Sequence, residues 1–393
     1  MKMRDKVLLV VPAIKDNKKK RYTKELLPQI KEAVGLFVPK KTLKILNYED
    51  HIIIKSSSYV EIAEIVSRFP GIEYVAIAEE KELGFTKIVN AIVEVGKKEI
   101  YQNERFAVNI DSLDPVENKH KDLEAAATSG LLVELEKIKA RPNQESPNKI
   151  VKAFITKKRA YVFAHKYLGP GGIPIGESID ACFQVEPSIR SIISSWLAQR
   201  AGITPHYFIA LPNCKNETIF MMRSIESVLR LRRTIPKKNI NLSFANFSHP
   251  IKQHFQNEMI SDNVWLEILL KCGSKIAKEK GLRGILPSVN LTSNFLRKMS
   301  TIKEATNKES VLPILTGSFL NHDELIKFDQ FLGSAYGRLP IDLDQLNDGA
   351  GKDPRKFSKK EIDMLIDSVM INVKTISLGD IKEAHTLVDE LMQ

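Results

Sequence analysis

Cysteine is scarce in this chain. Only Cys182, Cys214 and Cys272 occur in 393 residues, and no two of them form a C-x-x-C pair. That spacing excludes a disulfide scaffold and a zinc ribbon. The histidines are scattered. His249 and His254, with Glu258 beyond them, are too few converging ligands for a metal site and read as surface residues. No hydrophobic run reaches the length of a membrane helix. The apolar stretch Val7–Ile14 is too short to span a bilayer and lacks a small-residue cleavage site, so it reads as a first strand. No membrane partner is expected, and the cytoplasm is the expected location. There is neither a repeat at a solenoid period nor a low-complexity tract.

What the chain does have is the composition of a folded protein. Hydrophobic residues make up 43% and charged residues 27%, and the length implies two or three domains. Lys plus Arg number 59 against 48 acids, a formal charge of +11. Such an excess favours an anionic partner without naming it.

Periodicity sets the organisation. The order strand (Val7–Val11), helix (Thr23–Val34), two strands, helix (Tyr59–Arg68), strand (Tyr74–Ile77) fits a ferredoxin-like unit. A second unit has helices over Phe85–Val95 and Lys121–Lys139, a strand at Arg105–Ile110, and paired strands around the basic turn Thr156–Arg159. Composition alone makes Ala140–Lys149 a linker. From Ala181 onward strands alternate with helices, which predicts a parallel sheet covered on both faces.

The segment Gly169-Pro170-Gly171-Gly172-Ile173-Pro174-Ile175-Gly176 is the most informative. It holds four glycines, three of which can take positive φ or allow close backbone approach. It follows two strands around a basic turn and precedes a strand, a loop and the helix containing Ser194-Ser195. This arrangement resembles the tRNA 4-thiouridine synthetase family, THUMP-containing tRNA sulfurtransferases also linked to thiamine thiazole synthesis. In that family a G-x-G-G-[FLI]-P-[IV]-G turn ends the THUMP domain. Gly169, Gly171, Gly172, Pro174 and Gly176 match it. Phe69-Pro70-Gly71-Ile72, Phe106-Ala107-Val108 and Val311-Leu312-Pro313-Ile314-Leu315 agree as landmarks in order and spacing. The resemblance implies an α/β protein of three domains. Residues 1–77 are ferredoxin-like and 78–176 form a THUMP RNA-binding domain. Residues 177–393 form a Rossmann-like parallel-sheet domain of the PP-loop ATP-pyrophosphatase type, with C-terminal helices and no rhodanese-like domain. It also turns Ala140–Lys149 into a loop within the THUMP domain.

The family's strand ends in S-G-G-x-D-S, whose glycines let backbone N–H groups reach ATP phosphates at a helix N-terminus. Matching the helix places Glu186, Pro187, Ser188, Ile189, Arg190 and Ser191 at that loop. Pro187 supplies no N–H, Ser188 adds a Cβ, Glu186 brings negative charge, and Arg190 replaces the aspartate. Only Ser191 stays in place. The loop is either a decayed nucleotide site or a remodelled anion site built on Ser188, Arg190 and Ser191. The family's G-E and G-Q-x-x-S-Q-T signals are replaced by Ser288–Arg297, and the position of its persulfide cysteine by Tyr336-Gly337. Among the actual cysteines only Cys214, in a loop, is expected to be accessible. No catalytic residue, metal or cofactor is assigned, and ATP enters only if the altered loop functions.

The expected RNA-binding cations are Lys15, Lys18, Lys19, Lys20, Arg21 and Lys24, and then Lys157, Lys158, Arg159 and Lys166. Arg223, Arg230, Arg232, Arg233, Lys237 and Lys238 form a third basic group. Cations of this kind set affinity and salt dependence; RNA shape sets choice. In place of the basic residues that usually follow the THUMP strand stand Asp111, Asp114 and Glu117. The resulting expectation is a tRNA-binding protein without adenylation or sulfur transfer, acting as an accessory in tRNA modification. Its partners would be tRNA, a tRNA-modifying enzyme or a second copy of the chain. Two rivals are an active ATP-dependent tRNA-modifying enzyme with a remodelled loop, and a scaffold without RNA contact.

Overall fold

The computed structural model describes residues 6–13, 19–35, 38, 43–48, 50–112, 117–214, 216–237, 239–255, 260–320, 323–324, 357–379 and 384–392. The chain divides into two compact units, Met1–Gly171 and Gly172–Gln393.

The first unit carries a nine-stranded sheet. Its strands are β1 (Lys6–Pro12), β2 (Lys44–Asn47), β3 (Ile52–Lys55), β4 (Ile72–Glu82), β5 (Arg105–Ser112), β6 (Arg141–Pro142), β7 (Lys149–Ile155), β8 (Arg159–Phe163) and β9 (Lys166–Leu168). The path is β2-β3-β1-β4-β8-β7-β5-β6, with β9 on β4. The first four strands are antiparallel in the order expected of a ferredoxin-like unit. Alternation along them sends Leu8 and Val10 to one face, against helices α1 (Lys19–Gly35) and α2 (Tyr59–Val66). Helices α3 (Phe85–Glu99) and α4 (Glu117–Glu134) cover β5, β7 and β8 through Ile92, Leu131, Phe106 and Val162.

β4 joins these two parts. It pairs with β1 from Ile72 to Glu79 and with β8 from Glu79 to Glu82. The expected border at 77/78 therefore falls inside one strand, and the compact division lies at 171/172 instead of 176/177. A flat sheet would hold β3 and β7 about 19 Å apart, four strand spacings. Yet buried His51, in the β2–β3 turn, meets Phe154 of β7 and Tyr161 of β8 edge-on, at 5.7 and 5.5 Å between ring centroids. The sheet is therefore strongly coiled, which buries Leu9, Ile53, Tyr74 and Phe163 on the face away from the helices.

The Ala140–Lys149 segment is not a linker. Asn143 N–H donates to Phe106 O at 2.8 Å and Asn148 N–H to Arg105 O at 2.6 Å, so it lies along β5. Its polar side chains pair with backbone, as Asn148 Oδ1 does with Arg105 N–H at 2.8 Å. Polarity here reflects hydrogen bonding and not solvent exposure alone.

The second unit is an open sheet of order β14-β13-β10-β11-β12-β15. Its strands are β10 (Asp180–Gln184), β11 (Thr204–Leu211), β12 (Ile240–Asn246), β13 (Gly284–Leu286), β14 (Leu312–Pro313) and β15 (Lys374–Leu378). All neighbours are parallel except β12 and β15. Helices α5 (Ile189–Arg200), α6 (Glu217–Arg232) and α11 (Ala384–Met392) pack on one face with Phe183, Tyr207 and Ile209. Helices α7 (Ser248–Phe255), α8 (Asp262–Glu279), α9 (Phe295–Glu309) and α10 (Lys359–Met370) cover the other, with Cys182, Phe208 and Ala210. Both faces are buried, as a parallel sheet requires. Periodicity does not reveal α7, β15 or α11, which span only eight, five and nine residues. Among the described residues no helix is long and apolar enough to cross a membrane.

Candidate functional site

The sheet order of the second unit locates a crevice. From β10 the chain runs to β11 on one side and later returns through β13 on the other. In open α/β sheets ligands bind at this switch point, outside the strand C-termini. The residues there are the Glu186–Ser191 turn after β10 and the Pro287–Asn294 loop after β13.

The loop after β10 is closed by its own side chains. Ser188 caps α5, its Oγ accepting from Ser191 N–H at 3.2 Å. The Ser191 hydroxyl, 1% exposed, accepts from Glu186 N–H at 3.0 Å and donates to Gln184 O at 3.3 Å. Arg190 donates to Gly317 O at 3.0 Å. The Gln184 amide bridges the crevice, donating to Glu186 Oε1 at 2.7 Å and accepting from Ser288 N–H at 3.4 Å. Removal from water pushes the Glu186 carboxyl up to about 7, although hydrogen bonds from Ser288 and Gln184 favour its anion. Ser188, Arg190 and Ser191 thus each have partners within the fold.

The thiols offer no activated nucleophile. Cys182 and Cys272 are fully buried, and burial holds both thiols far above the ordinary range. Cys214 is partly buried, and burial raises its thiol too, with Glu217 adding to the effect. Tyr336 and Gly337 lie outside the described residues.

The glycine turn is built by close approach. A Cβ on Gly169 would stand 2.1 Å from Ile72 O. Gly71 N–H donates to Gly171 O at 2.8 Å and Gly171 N–H to Ile72 O at 2.9 Å, which ties the Phe69–Ile72 landmark to the turn. Gly171, Gly172 and Gly176 have φ of 67°, 78° and 95°. A Cβ on Gly172 would meet Arg200 O at 2.2 Å. Ile173 N–H donates to the same carbonyl at 2.9 Å, and Gly176 N–H to Gly202 O at 2.9 Å. Pro174 fixes the chain between these two anchors.

The sequence-predicted cations do not form one cluster. Lys15 and Lys18 lie outside the described residues. Lys19 and Lys20 start α1, where Arg21 and Lys24 are exposed. Lys157, Lys158 and Arg159 are exposed at the β7–β8 turn, which Thr156 Oγ1 holds by accepting from Arg159 N–H at 3.1 Å. Arg159 lies 3.8 Å from Glu82. Lys166 is exposed and stands 5.3 Å from the centroid of the Tyr74 ring. Because Arg159 is opposite Glu82 and Lys166 opposite Ala76, these two sites are about 20 Å apart along β4. In the third group Arg232 donates to Gly379 O at 3.0 Å and Arg223 pairs with Glu226 at 2.9 Å. Arg230 and Arg232 are partly buried. That group is partly a structural tie of α6 and not one open surface. Asp111 pairs with Lys152 at 3.4 Å.

Sequence reasoning passed over Phe295 and Phe319. They follow β13 and β14, and their rings stand 6.2 Å apart with both side chains exposed. The available signal was an aromatic residue at the start of the helix after β13 and another in the short segment after β14.

No family model matches the chain. Among curated proteins it is similar to a probable tRNA sulfurtransferase of Halothermothrix orenii, 25% identical over 199 residues, 48% of each chain. A tRNA sulfurtransferase of Pectobacterium carotovorum is 27% identical over 172 residues, 42% of this chain and 35% of that one. One of Histophilus somni is 21% identical over 308 residues, 76% of this chain and 62% of that one. The chain thus spans less than two thirds of the length of each of these relatives. Among solved structures, a 4-thiouridine synthetase in complex with RNA and bound ATP superposes with a TM-score of 0.69 at 14% identity. That match covers 95% of this chain and all of the other. PH1313 of Pyrococcus horikoshii gives 0.57 at 18% identity, covering 84% and 99%. Over most of its length the sequence of this chain is similar to tRNA sulfurtransferases, and its fold is that of a 4-thiouridine synthetase.

Proposed function

We propose that the protein binds tRNA and has given up its relatives' adenylation and sulfur transfer, so that it serves as an RNA-binding or accessory protein in tRNA modification. The observation that carries this reading is the turn from β10 into α5. A triphosphate needs free N–H groups and glycine-like access at a helix start. Here Pro187 lacks the N–H, Ser188 caps the helix, and the Ser191 hydroxyl is engaged with Glu186 and Gln184. The glycine turn and the exposed cations of the β7–β8 turn remain in the first unit and at its end. The RNA named with the superposed 4-thiouridine synthetase gives the partner class. Lys18–Arg21, Lys24, Lys157–Arg159 and Lys166 supply the phosphate contacts, and the cytoplasm is the place of work.

The test measures tRNA binding and ATP binding on the same full chain. Wild type is expected to retain tRNA with affinity falling steeply with salt, and to show no saturable ATP binding at millimolar nucleotide. Changing Lys157, Lys158 and Arg159 together to Ala should weaken tRNA binding at low salt. It should also flatten the plot of log affinity against log salt by roughly 0.7–0.9 for each phosphate no longer neutralised. Saturable ATP binding that Arg190→Ala abolishes would establish the active-enzyme reading instead. Absence of tRNA binding at low salt would leave the scaffold.

A further inference from the structure

The second unit exposes large apolar side chains beside its crevice. Phe295 is 45% exposed, Leu296 81% and Phe319 58%. The two rings stand 6.2 Å apart and are tilted by 44°. They are mounted on a fixed frame. Leu291 N–H donates to Ser318 O at 2.8 Å, joining the loops after β13 and β14. Arg190 donates to Gly317 O from the first turn of α5, and Lys298 Nζ to Asn290 O at 2.7 Å. The rings are held in position while their faces are open, the reverse of a core aromatic.

Charge indicates the occupant. Residues 284–303 contain no Asp or Glu and carry Arg297, Lys298 and Lys303; residues 310–320 contain no acid either. Arg297 is exposed, two residues after Phe295 in the first turn of α9. Exposed aromatic rings on segments that carry cations and no acid are the chemistry of single-stranded nucleic acid binding: rings stack on bases while cations meet phosphates. The ring tilt gives one open stacking face with a second ring at its edge, not a parallel slot.

We propose that Phe295 and Phe319 form a stacking platform for an unpaired nucleobase of the bound RNA, with Arg297 at the adjoining phosphate. The proposal rests on the RNA-binding reading above and adds a base contact on the second unit. The test uses the full chain, the same tRNA, and a short single-stranded RNA carrying one 2-aminopurine. Stacking on an aromatic ring quenches 2-aminopurine fluorescence. Wild type should quench it. Phe319→Ala and the shape-preserving Phe295→Leu should each lose most of the quench and weaken tRNA binding about 5- to 100-fold, with the salt slope unchanged. Arg297→Gln should lower the slope and keep the quench. If wild type binds tRNA but neither Phe variant changes affinity or quench, the platform is refuted while the RNA-binding reading stands. If wild type binds no tRNA, both fall together. Self-association abolished by Phe319→Ala, with tRNA affinity unmoved, would make the patch a protein contact and overturn the proposal.

Discussion

Gly172→Ala isolates the physics of the glycine turn. At Gly172 the backbone has φ of 78°, and a new Cβ would lie 2.2 Å from Arg200 O. Two penalties combine. The left-handed conformation costs an L-residue about 1–2 kcal/mol. The contact forces the carbonyl away and weakens its bond with Ile173 N–H, 2.9 Å long, for about 1 kcal/mol more. The expected loss is about 2–4 kcal/mol. Gly281→Ala is the control. Its φ is 68°, with nothing within 4 Å of the added Cβ, so only the conformational penalty of about 1–2 kcal/mol applies. Both tryptophans, Trp196 and Trp265, belong to the second unit, so their fluorescence in urea reports the unit that holds both glycines. With a slope of about 1–3 kcal/mol per molar urea, the Gly172 variant should shift the midpoint by roughly 1 M or more, and the Gly281 variant by less. Equal shifts would show that the close approach to Arg200 carries no weight.

Ser191→Ala deprives Glu186 N–H of its acceptor and Gln184 O of a donor at a buried site, so it should destabilise the second unit by about 1–3 kcal/mol, read from the same urea curves. Glu186 gives a pH test. Its folded carboxyl lies at about 7, above the 4.5 of the free group, so the folded chain holds a proton that the unfolded chain has released. Stability from this group is complete below about 4.5 and is lost as pH rises towards 7. Glu186→Gln should remove that dependence, gaining on wild type by about 1–3 kcal/mol between pH 5 and 8. A constant difference across that range would refute the assignment.

The elements of the second unit were legible because its strands are buried on both faces and its helices are long. Ala181–Val185 and Tyr207–Leu211 are unbroken apolar runs, and Val264–Lys280 has a clear apolar stripe. β14 and β15 were not legible. Leu312–Pro313 is two residues long, and β15 has the exposure pattern of an edge. In the first unit the ferredoxin-like order followed from periodicity. The coiling that brings His51 to Phe154 did not, because no local pattern encodes a contact between strands four steps apart.

The loop after β10 shows what sequence could and could not convey about the site. Pro187 and Ser188, where the resembled family has glycines, implied poorer phosphate access. Two outcomes were open, because a serine at a helix start serves an incoming anion or its own backbone equally well. The geometry supports the use by its own backbone. Ser188 Oγ faces Ser191 N–H, the Ser191 hydroxyl reaches back to Glu186 and Gln184, and Arg190 reaches Gly317. An anion entering here would have to displace several hydrogen bonds. Beside that turn Phe295 and Phe319 expose their rings, and Arg297 is exposed in the same segment as Phe295. On the proposed platform a base would meet exposed rings, whereas a phosphate at α5 would meet groups already paired.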